Sequence, residues 1–370
     1  MKRLFFALIF CVAALAASVS AQTVAFTNVN VIPMDRERVL ATQTVVIKNG
    51  LIAEIGDAKK VKLPKNAVRI DGTGKYLIPG LVDMHTHLLS DSDEYPDSIG
   101  PDELRVMVAN GVTTVRFMIG TPELLALRSR SANGEIEAPT IFVASPHLTG
   151  REQGNNFVVN TPEDAREAVR KSKAAGYDFI KVTTFIKPEV YEAAVDEAAK
   201  QNIRVVGHAD SRFVGVERAW KAKQQIEHLD GYMELLLRDD APVKGSVSDV
   251  YIYNPENWKS FDYIDESKIP EVARRTVASN PYVDPTQHFM KNTFGRLRGA
   301  DEIRTIDKAG TIEKGKQADL VLLNGNPLDY ISATWSRAGV MLKGKWHRQE
   351  ELNRWLDQSA RVISTSFKGH

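Results

Sequence analysis

The sequence predicts an α/β protein: a TIM-type (β/α)8 barrel that is incomplete, with about seven strands, joined to a small β-sandwich built from both chain ends. Through the middle of the chain, apolar strand segments alternate with helical segments, which is typical of a parallel sheet. Near both ends, short strands are separated by turn residues instead. The 370 residues provide enough chain for a barrel, whose usual size is about 250 residues, and a smaller second unit.

The sandwich prediction depends on β patterns at the two ends. Residues 44–55 read as a hairpin with Asn49-Gly50 at its turn, and residues 340–346 read as another. An apolar strand at 318–323 precedes the second hairpin. The chain therefore divides into four pieces: a signal peptide at 1–21, the composite sandwich at 22–75 and 308–349, the barrel at 76–307, and a C-terminal helix and tail at 350–370.

The first piece has the composition of a secretion signal. Lys2 and Arg3 are followed by the apolar residues 4–17, and small residues at 19–21 suit cleavage by signal peptidase. We therefore expect a periplasmic or secreted protein with no membrane attachment after cleavage; an uncleaved anchor is the alternative. Cys11 is the only cysteine and leaves with the signal, so the mature chain has no disulfide and no thiolate ligand.

The charge balance says what kind of partner to expect. There are 48 basic and 47 acidic residues, which gives a formal net charge of +1. This balance gives no electrostatic reason to expect nucleic acid or an anionic membrane as a partner. The expected partner is a small-molecule substrate, and the sequence leaves a homo-oligomer open.

The barrel prediction depends on a repeated strand-helix unit. Its clearest helix starts after Thr161, with Pro162 at the first helical position and Asp164 in the first turn, and ends at Gly176. Seven strands are predicted, at 77–84, 114–119, 140–144, 178–183, 203–207, 225–227 and 281–285. Between Thr286 and Thr311 lie only 24 residues, too few for a seventh helix, an eighth strand and an eighth helix. We therefore predict that a piece of the barrel is missing.

Four histidines end or follow three of these strands. His85 and His87 end the first, where period-two alternation turns both imidazoles to one side. His208 and His228 follow the fifth and sixth strands. Side chains at the carboxyl ends of barrel strands converge on the mouth of the barrel, and neutral imidazoles are natural ligands of Zn²⁺. The pattern predicts a divalent-metal site; the alternative is four unrelated histidines.

Other polar residues follow strands of the barrel. Lys181 ends the fourth strand and is either a surface lysine or an amine that reacts with CO₂ to give a carbamate bridging two metal ions. His147 and Tyr232 are predicted to bind substrate, and Arg151 is a weaker candidate; for each, a solvated loop residue is the alternative. Arg116, on the second strand, is read as a member of a buried ion pair.

Two segments resemble the amidohydrolase superfamily. Residues Ile78-Pro79-Gly80-Leu81-Val82-Asp83-Met84-His85-Thr86-His87 resemble its metal-binding signature, and residues 310–321 resemble the stretch that returns such chains to their β-sandwich. Within the superfamily the chain is most similar to the imidazolonepropionase-related and prolidase-like members. The resemblance implies two zinc ions per chain, with His85 and His87 at one ion, His208 and His228 at the other, and a carboxylated Lys181 bridging them.

The resemblance also implies an activity. A metal-bound hydroxide would hydrolyse an amide-type C–N bond in a cyclic amide or a dipeptide-like substrate, with Lys181, His208 and His228 as the catalytic set. An Asp at the end of the eighth strand usually completes such a site, and only Gly299-Ala300-Asp301 faintly matches it here. The alternative is a truncated, catalytically impaired or inactive remnant. A mononuclear deaminase is less favoured, because a bridging lysine serves two ions.

Overall fold

The computed structural model describes residues 22–89, 97–152, 156–210, 213–229, 231–241, 259–284 and 310–367. Its strands, numbered in chain order, are β1 (Val24–Val31), β2 (Leu40–Lys48), β3 (Leu51–Asp57), β4 (Val68–Asp71), β5 (Tyr76–Pro79), β6 (Leu81–Thr86), β7 (Val112–Phe117), β8 (Thr140–Val143), β9 (Leu148–Thr149), β10 (Phe157–Val158), β11 (Phe179–Val182), β12 (Arg204–Gly207), β13 (Gln225–Glu227), β14 (Val283–Asp284), β15 (Leu320–Leu323), β16 (Arg337–Leu342) and β17 (Lys345–Arg348).

The α-helices, numbered likewise, are α1 (Gly100–Ala109), α2 (Pro122–Ala132), α3 (Pro162–Ala175), α4 (Pro188–Lys200), α5 (Val216–Lys221), α6 (Tyr232–Leu235), α7 (Ile269–Ser279) and α8 (Gln349–Ser366). Within the described ranges, none of the helices combines the length and the apolar character that crossing a membrane requires.

Strands from both chain ends form one mixed sheet of eight strands. Its order is β17-β16-β15-β5-β1-β2-β3, with β4 added beside β1. The two predicted hairpins are confirmed. Asn49 and Gly50 have φ angles of 53° and 77°, and Lys343 and Gly344 have φ angles of 50° and 83°, as paired left-handed turn residues require. The strands predicted to form a sandwich from both chain ends therefore belong to one mixed sheet that the two ends share.

The middle of the chain forms a run of seven parallel strands in sequence order. β6, β7 and β8 pair in one sheet, and β11, β12, β13 and β14 pair in another. A parallel bridge between Ala144, just after β8, and Phe179 of β11 joins the two sheets. This arrangement agrees with the predicted strand-helix repeat. The predicted missing piece falls on residues 285–309, which lie outside the described residues, as does Asp301.

The first barrel strand begins later than predicted. In the sequence only Pro79-Gly80 interrupts the apolar run that starts at Leu77, and in the structure Tyr76–Pro79 pairs with β1 and β15 in the end sheet. The chain changes sheets at Gly80, where an added Cβ would lie 2.0 Å from the Thr113 hydroxyl oxygen. This close approach requires glycine, and the first barrel strand runs from Leu81 instead.

Helix α3 is bounded as the sequence predicted. The Thr161 hydroxyl accepts a hydrogen bond from the Asp164 N–H at 3.2 Å, and the Asp164 carboxylate accepts one from the Thr161 N–H at 2.8 Å. Gly176 ends the helix in the left-handed conformation, with φ of 89°. Helices α3 and α4 cover the outer side of β11 and β12 with apolar residues such as Ala168 and Val190, which fixes the strands whose ends carry the site.

Candidate active site

Imidazoles from three strand ends lie next to one another. The ring centroids of His85 and His87 are 5.3 Å apart, those of His85 and His228 are 4.5 Å apart, and those of His208 and His228 are 5.1 Å apart. The structure therefore brings together all four histidines that the sequence predicts to converge. Their roles as metal ligands stay predictions.

The backbone near these histidines is irregular in ways that aim their side chains. The pairing of β6 with β7 shifts register between Asp83 and Thr86, so His85 lies at an irregularity. His228 has a φ of 62°, in the left-handed region. Gly207, just before His208, has a φ of 128°, and an added Cβ would lie 2.0 Å from the Val182 carbonyl oxygen. Such close packing holds β12 against β11.

Three histidines of this cluster, His85, His87 and His228, favour their neutral form. Burial, and then the nearby Lys181 cation, hold the pKa of His85 well below its usual range. Burial lowers the pKa of His228 in the same way, with repulsion from His208 and His85 adding to it. His87 keeps an exposed edge, yet loss of water around its ring and repulsion from Lys181 lower its pKa to about 4. Neutral imidazoles have the lone pair that metal binding needs.

Lys181 is a buried residue, with 2% of its surface exposed. Its backbone N–H donates a hydrogen bond to the Ser145 hydroxyl at 3.0 Å, which ties β11 to the segment after β8. The alternative of a surface lysine is therefore wrong. Lys181 lies near enough to His85, His87, His147 and His228 to lower the pKa of each. The charge of the Lys181 amine therefore acts on the histidine cluster.

An ion pair without solvent exposure lies beneath His85. Arg116 donates from Nη2 to Glu227 Oε1 at 2.9 Å, and both side chains are fully buried. The other oxygen of Glu227, Oε2, lies 2.7 Å from His85 Nδ1. Arg116 also donates from Nη1 to Gln225 Oε1 and from Nε to the Met84 carbonyl, both at 2.6 Å. The interpretation of Arg116 as a buried ion-pair member is confirmed.

Sequence reasoning missed Glu227 as a member of the site. A signal was present, because Gln225 and Glu227 are spaced by two in an otherwise apolar strand and therefore share one side of it. Two polar side chains on one face of a buried strand require partners inside the protein. Both side chains accept a hydrogen bond from Arg116 on β7.

The predicted substrate-binding residues have different surroundings. The ring Nε2 of His147 lies 3.2 Å from the Met118 carbonyl oxygen, and burial, followed by repulsion from Lys181, lowers its pKa to about 3. The Tyr232 hydroxyl accepts a hydrogen bond from Trp220 Nε1 of α5 at 3.0 Å and is also hydrogen-bonded to Thr276 of α7. The Arg151 guanidinium lies 4.3 Å from the centre of the Phe185 ring. A role in substrate binding stays a prediction for each.

The donor set suits a divalent metal in type but does not enclose one. Neutral imidazoles beside a buried lysine are ligands of the kind that Zn²⁺ takes. Across the described ranges, however, no group of three or more His, Cys, Asp or Glu side chains is arranged around a common point as a metal site requires. The chemistry of the donors therefore fits the ion, whereas their arrangement among the described residues does not yet enclose one.

Comparison with known proteins identifies the family. Residues 76–293 match the Amidohydrolase family, and this stretch is more than half of the chain. The chain therefore belongs to that family, as its metal-binding signature and returning β segment indicated.

Individual relatives match parts of the chain. A dihydroorotase from Trichlorobacter lovleyi is 44% identical over 80 residues, which cover 22% of this chain and 18% of that protein. An imidazolonepropionase from Stenotrophomonas maltophilia is 28% identical over 171 residues, covering 44% of this chain and 40% of that protein. The chain thus spans less than half the length of either curated relative.

A solved structure matches over most of the chain. A putative prolidase from Bifidobacterium longum aligns with a TM-score of 0.67 at 22% identity, covering 92% of this chain and 99% of that one. At this identity the likeness shows the fold, which confirms an amidohydrolase α/β fold of the TIM-barrel kind. The alignment does not confirm that the barrel is incomplete.

Proposed function

We propose that this protein hydrolyses an amide-type C–N bond, in a cyclic amide or a dipeptide-like substrate, with the help of divalent metal ions. The observation that carries the proposal is the meeting of four histidines from three strand ends beside the buried Lys181. Family membership supports hydrolysis as the reaction class. The named relatives, a dihydroorotase, an imidazolonepropionase and a putative prolidase, support C–N bonds as targets.

The chain's own residues divide into two ligand sets in this proposal. His85 and His87 would hold one ion, His208 and His228 would hold the second, and Lys181 would lie between them. Bound divalent ions supply Lewis-acid activation of water and of the substrate carbonyl. Two zinc ions per chain and a periplasmic or secreted location belong to the same proposal.

Lys181 contributes to metal binding only after modification. The Lys181 ammonium would first lose one proton; the amine nitrogen would then bond to the carbon of CO₂ and release a second proton, which gives a carbamate anion with two oxygen donors. A buried ammonium repels metal cations and costs free energy, whereas a bridging anion favours them. The carbamate would also supply two oxygen donors that an unmodified lysine lacks, and these would add to the imidazoles that by themselves do not enclose an ion.

His147 is the residue best placed to contact substrate. Its half-buried ring lies within electrostatic reach of Lys181, His208 and His87. Because Nε2 carries the hydrogen that faces the Met118 carbonyl, a neutral His147 would offer the Nδ1 lone pair, which can accept a hydrogen bond from a substrate N–H. The Tyr232 hydroxyl accepts from Trp220 Nε1 and would keep its own O–H as a donor for substrate. Asp301, the one faint match for the proton-transferring Asp, lies outside the described residues.

The decisive experiment measures metal content and turnover together. Mature protein is loaded with Zn²⁺ in bicarbonate, its zinc content is measured by mass spectrometry, and dipeptides, N-acyl amino acids and cyclic amides are screened for hydrolysis. About two ions per chain with turnover that a chelator abolishes supports the proposal. Less than one ion per chain, no turnover and a broad melting transition would instead support an inactive remnant.

A further inference from the structure

The geometry points to Glu227, held by Arg116, as a positioning residue that presents the Nε2 atom of His85 to a bound divalent ion. This inference deepens the proposed function and rests on it. The contacts of Glu227 are with His85 and Arg116, so it would act on the ion through His85. Arg116 would act through Glu227 and through the backbone of β6.

The contacts of Glu227 determine which nitrogen of His85 carries hydrogen. The Glu227 carboxylate receives Arg116 on Oε1 and His85 Nδ1 on Oε2, at 2.9 and 2.7 Å. A carboxylate paired with a guanidinium only accepts hydrogen bonds, so Nδ1 of His85 must be the donor. The lone pair of the neutral ring then lies on Nε2, at the far side of the ring from Glu227.

The contacts of Arg116 make this arrangement rigid. Its Nε, Nη1 and Nη2 atoms each donate a hydrogen bond, and none of its side chain is exposed. The Nε bond goes to the carbonyl of Met84, the residue before His85, at the register irregularity of β6. One guanidinium therefore fixes both the backbone that carries His85 and the carboxylate that orients its ring.

Stability alone is a poor explanation for this array. A buried ion pair is frequently no more stabilising than apolar residues of the same volume, because both charges lose their hydration. The imidazole that the array touches is one of four that meet at the strand ends. A carboxylate that accepts a hydrogen bond from a ligating histidine raises its basicity and fixes its orientation.

The test uses the tautomer of His85 and the affinity for zinc, neither of which is an activity. In metal-free protein, long-range ¹H–¹⁵N NMR spectra are expected to show His85 protonated at Nδ1, assigned by comparison with His85→Gln. Glu227→Gln is expected to lose this tautomer preference and to bind Zn²⁺ about 10–100-fold more weakly in titration calorimetry. Glu197→Gln is the matched control, because Glu197 is also a buried carboxylate facing an arginine, Arg170, on the outer helices.

Each outcome bears on the inference separately from the proposed function. His85 protonated at Nε2 in the metal-free wild-type protein would overturn the inference, even if Glu227→Gln did not fold. Equal Zn²⁺ affinity of Glu227→Gln and wild type would overturn it too. If the wild-type protein bound no Zn²⁺, the metal part of the proposed function would fail on its own account, and the role of Glu227 toward an ion would fall with it.

Discussion

Lys343, in the turn between β16 and β17, reaches across to Ser131 in the last turn of helix α2. Its Nζ donates hydrogen bonds to the Ser131 carbonyl at 2.8 Å and to the Ser131 hydroxyl at 2.9 Å. A cation at the C-terminal end of a helix also interacts favourably with the helix dipole. Lys343 therefore links the sheet formed by the chain ends to helix α2 of the barrel.

Removing this contact should weaken the protein measurably. Lys343→Met retains the apolar stem but leaves the Ser131 groups without their charged donor, and we expect a loss of about 1–3 kcal/mol in the free energy of unfolding. Urea unfolding measures it. Lys345→Met is the control: its pair with Glu137 is solvent-exposed, so its loss should stay below about 1 kcal/mol. Equal losses for both variants would contradict the special role of Lys343.

Asp319 predicts a pH dependence of stability. Burial raises the pKa of this carboxyl to about 6, although the Lys343 N–H and Gln317 Nε2 donate to its two oxygens at 2.6 and 2.7 Å. Because the folded-state pKa exceeds the ordinary 3.8, its stabilising contribution is complete below pH 4 and is lost as the pH rises through about 6.

Asp319→Asn removes this titration. Relative to wild type, the variant should gain on the order of 1–3 kcal/mol in unfolding free energy between pH 4 and pH 7, with little further change above pH 7. Urea unfolding at pH 4, 5.5 and 7 checks the difference. A difference that is flat over this range, or that falls with rising pH, would show that the carboxyl does not titrate as described.

Lys181 predicts a dependence of metal binding on CO₂. Wild-type protein in bicarbonate should retain more Zn²⁺ than protein prepared in CO₂-free buffer, because only the carbamate supplies bridging oxygens. Lys181→Gln should bind the same low amount in both buffers and lose about 10²–10⁴-fold in any hydrolytic rate. Zinc content measured after gel filtration provides the readout. Lys187→Gln, an exposed lysine beyond the same strand, is the control and should keep the bicarbonate effect.

The tight packing at Gly207 leads us to expect that moving β12 away from β11 also weakens zinc binding. In Gly207→Ala the new methyl would meet the Val182 carbonyl, at a φ that side chains disfavour, so β12 must move away from β11. We expect more than about 2 kcal/mol of destabilisation and weaker Zn²⁺ binding through the displaced His208. Gly134→Ala isolates the cost of positive φ, because its Cβ would have open space, and should lose only about 1 kcal/mol. Comparable losses would contradict the packing argument.

The sequence contains the strand-helix repeat, the capping of α3 and the histidines at strand ends because each depends on local patterns. Thr161, Asp164 and Gly176 lie within one helix, so short-range rules suffice to place them. The alternation of His85 and His87 is equally local. These features could be predicted, and the structure has them.

Other features depend on contacts between distant segments. The first barrel strand starts at Leu81 because the chain changes sheets where Gly80 packs on Thr113; Pro79-Gly80 indicates a break locally but not which sheet each half joins. The partnership of Arg116 with Glu227 joins residues 111 positions apart. The short parallel pair β9 and β10, next to β11, was not predicted, because two-residue strands leave almost no periodicity to detect.

Arg116 has one more consequence for the molecule as a whole. From β7 it reaches the carbonyl of Met84 on β6, the side chains of β13, and Asp284 on β14 at 3.9 Å. A single guanidinium inside the barrel thus links β6, the first of the described parallel strands, with β14, the last of them. A substitution of Arg116 would therefore weaken the contacts between these strands and misalign the His85 ring at the same time.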